Sequence, residues 1–114
     1  MALRAWLAAA LLAAAVAPAR GAAAVEVRAG ELYFEPKGMA APAGEVVFVV
    51  RNDGAIEHNF VLRDAQGRTL AEVPIIAPGA TERVAARLAP GRYRVLCTLP
   101  GHSEAGMVAD LAVQ

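Results

Sequence analysis

"RYRVLCTLPGHSEAGM", residues 92–107, holds the chain's only cysteine, one of its two histidines and one of its three methionines. The first six residues alternate in character. In an extended chain Tyr93, Val95 and Cys97 fall on one face, and Arg92, Arg94 and Leu96 on the other. The arginine face must meet water, so a strand here ends with Cys97 pointing inward. Pro100 and Gly101 then break the strand and turn the chain back. The predicted result is a thiol, the imidazole of His102 and the thioether of Met107 gathered at one end of a β structure.

The rest of the chain repeats the strand signal. "VEVRA" (25–29), "ELYFEP" (31–36), "EVVFVVRN" (45–52), "HNFVLRD" (58–64), "TERVAARL" (81–88) and "MVADLAV" (107–113) join "RYRVLC" (92–97) as short β-branched or aromatic runs. "PAGE", "DAQG", "APGA" and "APG" supply the turns between them. Seven short strands at this spacing predict an all-β, antiparallel Greek-key sandwich. "VVFVVRN" is apolar on both faces and is expected in the middle of a sheet. "TERVAARL" alternates Val84 and Ala86 with Arg83 and Arg87, which predicts one wet face.

The first two dozen residues have a different composition. Arg4 precedes the apolar run "AWLAAALLAAAVA" (5–17), and small residues follow with cleavage positions after Ala19 or Ala24. This layout predicts a secretory signal peptide at 1–24 and a domain at 25–114, periplasmic or secreted. Thirteen apolar residues fall short of the ~20 needed to span a bilayer, so no stable membrane insertion is expected once the signal is removed. Loss of Arg4 and Arg20 takes the 11 basic residues to 9 against 11 acidic ones, a balance of −2. No basic run remains, which argues against a nucleic-acid partner. One cysteine cannot form an internal disulfide, so the thiol is buried and inert, paired between chains, or chemically active.

The neighbouring donors favour chemistry. His58 opens a strand 39 residues before Cys97, and a Greek-key sandwich can bring distant strands to one end. His58, Cys97, His102 and Met107 together supply two imidazoles, a thiolate and a thioether. That set suits a mononuclear copper site with a His₂Cys plane and a weak axial Met. Thiolate and thioether favour Cu(I), imidazole serves both oxidation states, and a rigid scaffold limits rearrangement when an electron moves. Met39, in a Gly/Ala-rich stretch read as loop, has no donor beside it. Two enzyme readings compete: a Cys97–His58 nucleophile, and a Cys/His₂ zinc site with Glu57 as base. Pro100–Gly101 prevents the helix start that would activate Cys97, and the zinc reading leaves Met107 unused. A module that stores or delivers copper through the same donors is a third alternative.

With "HNF" upstream and "YRVLCTLPGHSEAGM" downstream, the chain resembles the cupredoxins, the small type 1 blue-copper proteins. The four-residue gaps on either side of His102 are most similar to the rusticyanin and auracyanin type of loop. The resemblance runs from about residue 31 to the C-terminus. It implies one copper ion, Cu(II)/Cu(I), held by His58, Cys97, His102 and Met107, with Asn59 tying the two ligand loops together. It further implies a one-electron carrier, not an enzyme, that acts as a monomer and meets redox partner proteins transiently. Pro100, Ala105, Ala55 and Ile56 are expected to form a small apolar patch round an exposed edge of His102. Tyr93 is read as a hydrogen-bonding residue of the sandwich.

Overall fold

The computed structural model describes residues 21–114; the bulk of the predicted signal peptide lies outside them. Among the described residues, nine strands form two facing sheets. They are β1 (Ala23–Gly30), β2 (Tyr33–Glu35), β3 (Gly38–Ala41), β4 (Gly44–Asn52), β5 (His58–Arg63), β6 (Thr69–Ile76), β7 (Thr81–Leu88), β8 (Gly91–Leu96) and β9 (Val108–Val113). One sheet has the order β2-β1-β4-β7, the other β3-β9-β8-β5-β6. The chain crosses between sheets after β2, β3, β4, β6 and β7, and β8 returns beside β5.

The all-β sandwich is the one expected, but its pairing is not wholly antiparallel. β1 runs parallel to β4, with Ala29 opposite Asn52, and β3 runs parallel to β9, with Met39 opposite Leu111. Two strands escaped the sequence reading. "GMAA" of β3 has no β-branched residue and becomes a strand only because β9 offers it an edge. This corrects the placement of Met39, which is buried in a strand rather than sitting in a loop. β6 carries Pro74, tolerated because β6 is an edge strand. At the N-terminal side β1 already includes Ala23 and Ala24, paired with Val46 and Val47.

β4 is central, as its composition requires: Val46, Phe48, Val50 and Asn52 are buried on one face. Phe34, Phe48 and Phe60 pack between the sheets, with ring centroids 6.1 Å apart for Phe34–Phe60 and 5.2 Å for Phe48–Phe60. Along β8, Val95 and then Cys97 are buried while Arg92 and Arg94 are exposed, so the alternation in the sequence is kept. Tyr93 donates its hydroxyl to the Ala89 carbonyl at 2.7 Å, a structural role.

The strand directions put four connections at one end of the sandwich. These are the β1–β2 turn (31–32), the β4–β5 loop (53–57), the β6–β7 loop (77–80) and the β8–β9 loop (97–107).

Candidate metal centre

The β8–β9 loop is built by its own backbone. His102 N–H donates to Leu99 O at 3.0 Å, Ala105 N–H to Gly101 O at 3.2 Å, and Met107 N–H to His102 O at 3.1 Å. Gly101 and Gly106 adopt φ of 82° and 108°, which a side chain would strain. Cys97 N–H donates to Met107 O at 3.1 Å and closes the loop. The loop therefore carries His102 back over its own ends, with Cys97 and Met107 side by side in the backbone.

His58 reaches the same place from β5, which pairs antiparallel with β8. Its Nδ1 stands 3.3 Å from Nδ1 of His102, and that atom stands 3.4 Å from Sγ of Cys97. The three donor atoms all lie within 4.8 Å of one another. Two nitrogens each ~2.0 Å from one ion in a trigonal plane would stand ~3.5 Å apart, so this spacing is what a shared ion produces. His58 and Cys97 are wholly buried, and His102 is half-buried. Met107 is also wholly buried, in the core cluster that contains Cys97. Two imidazoles and a thiol converging beside a buried thioether fit one copper ion better than zinc, which has no use for the thioether.

Burial, and next the like charge His102 would carry, push the His58 imidazole below its usual value; Glu31 opposes this. A neutral ring at pH 7 leaves Nδ1 free to ligate. Full burial of Cys97 weighs against a nucleophile that must meet a substrate. Glu57 is exposed and lies outside the cluster of donors.

Asn59 joins the segments that carry His58 and Cys97. Its Nδ2 donates to Thr98 Oγ1 at 2.8 Å, and Thr98 N–H donates to its Oδ1 at 2.8 Å. Asn59 N–H also points at Cys97 Sγ at 3.5 Å, where it would stabilise a thiolate.

Sequence reasoning missed Asn52. This wholly buried side chain donates through Nδ2 to Ile56 O and Ile76 O, both at 2.8 Å, and accepts Gly54 N–H on Oδ1 at 2.8 Å. It folds the β4–β5 loop, ties it to β6 and so sets where β5 and His58 begin. Read as the end of a strand, Asn52 offered only one signal: an amide closing an apolar run. Asp53 adds an outer anchor, at 2.7 Å from both Arg28 Nε and Arg51 Nε. The hydrogen bond from Arg28 chiefly, and the charge of Arg51, hold its carboxyl below the usual range. Ala55 and Ile56 in the β4–β5 loop, and Pro100 and Ala105 in the β8–β9 loop that carries the half-buried His102, are all exposed at this end.

Comparison with known proteins agrees with this geometry. The chain is 33% identical over 106 residues to the copper-resistant cuproprotein CopI of Rubrivivax gelatinosus, covering 77% of this chain and 64% of that protein. It thus spans about two thirds of that relative's length. Dithionite-reduced auracyanin from Roseiflexus castenholzii superposes with a TM-score of 0.74 at 24% identity, covering 82% of this chain and 99% of the other. Auracyanin A from Chloroflexus aurantiacus, a "blue" copper protein, gives 0.71 at 26% identity, covering 82% and 100%. Residues 2–109 match the family model of the cupredoxin-like domain, and with that match, the two-sheet sandwich and the His–Cys–His cluster, the chain belongs to the cupredoxin family.

Proposed function

We propose that the protein is a one-electron carrier whose single copper ion is held by His58, Cys97, His102 and Met107. The observation that carries this reading is the convergence of His58 Nδ1, His102 Nδ1 and Cys97 Sγ within 4.8 Å on two paired strands and one closed loop. Copper bound there would supply Cu(II)/Cu(I) chemistry. The residues do the rest. β5 holds His58 and β8 leads directly into Cys97, Asn59 ties the two segments together, and the packed core keeps water from Cys97. His102 is the least buried of the four, and the exposed uncharged residues Ile56, Pro100 and Ala105 in the loops at the same end suit brief encounters with a redox partner. Action as a monomer in the periplasm or outside the cell belongs to the same reading. Among the described residues no helix is long and apolar enough to cross a membrane.

The name of the Rubrivivax relative favours a second reading, in which the same donors store or deliver copper under copper stress. One experiment separates the two. The domain is loaded with Cu(II), its visible spectrum is followed through cycles of reductant and oxidant, and a Cu(I) chelator is then added. A carrier shows an intense thiolate-to-copper band that bleaches and returns, and it keeps its metal. A colourless protein that yields copper to the chelator is a delivery module.

A further inference from the structure

Nε2 of His58 is buried and has no hydrogen-bond partner among the described residues. Nδ1, at the other side of the ring, faces His102 and the site. If the Nδ1 lone pair is to reach a metal, Nε2 must carry the ring proton, and that proton needs an acceptor. The acidic group closest to it is Glu31, whose Oε2 stands 3.9 Å from Nε2. Glu31 belongs to the β1–β2 turn of the opposite sheet, beside Leu32, whose φ is 63°. Its other oxygen, Oε1, accepts the N–H of Ala55 in the β4–β5 loop. One carboxylate thus already grips the loop that leads into His58.

Gly54 makes the approach feasible. A Cβ there would stand 3.0 Å from His58 Nε2, 3.1 Å from Glu31 Oε1 and 3.2 Å from Asn52 Oδ1. Glu31 is half-exposed, so a shift of ~1 Å at the end of its side chain brings Oε2 to hydrogen-bond length.

We propose that Glu31 is a positioning residue for the ligand His58. Its carboxylate takes the hydrogen bond from Nε2–H, holds the ring in the tautomer that leaves Nδ1 bare, and sets a negative charge behind the ring that favours Cu(II) over Cu(I). The inference rests on the copper reading above. It predicts that this outer carboxylate tunes the potential although it touches no metal.

The test compares the parent with Glu31→Gln and Glu31→Ala, all loaded with copper and titrated by spectroelectrochemistry. Glu31→Gln removes the charge and keeps one acceptor oxygen, enough for His58 Nε2–H or Ala55 N–H but not for both. The thiolate band should persist, and the Cu(I):Cu(II) ratio at a fixed potential should rise three- to tenfold, about 30 to 60 mV for one electron. Glu31→Ala, which also frees Ala55 N–H, should move the potential the same way and hold Cu(II) more weakly. In the metal-free parent, ¹⁵N NMR should find the His58 proton on Nε2. A proton on Nδ1, or a potential unmoved in Glu31→Gln while the parent binds copper, overturns this inference alone. A parent that binds no copper overturns the copper reading and this inference with it.

Discussion

Asn52→Ala should be among the most damaging single changes at the candidate site, although Asn52 contributes no donor atom to it. The side chain makes three hydrogen bonds of 2.8 Å and is wholly buried. Truncation leaves the buried carbonyl of Ile76 without its partner, at about 1–3 kcal/mol. Ile56 O and Gly54 N–H are only partly buried, so water can reach them, and each loss costs about 0.5–1.5 kcal/mol. The sum is about 2–6 kcal/mol. For a domain of this size each kcal/mol lowers the melting temperature by about 4–8 °C, so the metal-free variant should melt at least ~10 °C below the parent. Thermal unfolding followed by circular dichroism measures this directly. Asn52→Asp provides the control for chemistry against size. It keeps the acceptor for Gly54 but turns a carboxylate toward two carbonyl oxygens, and it should fall at least as far. A loss under ~4 °C in both variants would refute the reasoning, and the β4–β5 loop would then owe its shape to the Asp53–arginine pairs and the backbone instead.

The other expectations concern the donors and their supports. Asn59→Ala removes two hydrogen bonds with Thr98; Thr98 is exposed and water can replace them there, so the cost should be about 1–3 kcal/mol. Copper should remain bound with an altered visible spectrum, and an unchanged spectrum, potential and melting temperature together would contradict its tie between the loops. Met107→Leu conserves volume and should cost under ~1.5 kcal/mol if Met107 only packs. If Met107 is the axial donor, the variant should keep its colour and raise the potential by about 59 mV, a tenfold change in the redox ratio. Met107→Gln should lower the potential, because an amide oxygen is a harder donor to Cu(II). His58 is held below its usual pKa by burial first and by His102 second, so the unfolded chain binds its proton at a higher pH than the native one. Metal-free stability should therefore be full above pH ~6.5 and fall as the pH drops from there toward the native pKa. His58→Gln should flatten that pH profile, as read by melting temperature against pH.

Much of this protein is local information, and local information is legible in a sequence. The alternation in "RYRVLC" alone requires Cys97 to point inward, because a face with two arginines cannot be buried. β4 could be placed at the centre of a sheet because five apolar residues in a row suit a strand flanked by a neighbour on each edge. The spacing Cys97–His102–Met107 put those three residues on one short loop, and a loop closed by Pro100, Gly101 and Gly106 has few ways to fold. The tertiary structure decided what depends on partners far along the chain. "GMAA" became a strand because β9 presented an edge, and "TLAEVPII" because an edge tolerates Pro74; neither segment shows this by itself. The parallel pairing of β1 with β4 comes from how the chain crosses between sheets, and no propensity encodes it. The same holds for the grip of Asn52 on Ile56 and Ile76, and for the approach of Glu31 to His58 across Gly54. Each depends on two backbones that meet only after both sheets have formed. A residue's neighbours in sequence report its own face and turn, but the partner of a buried polar atom is set by strand order and register, and those belong to the whole fold.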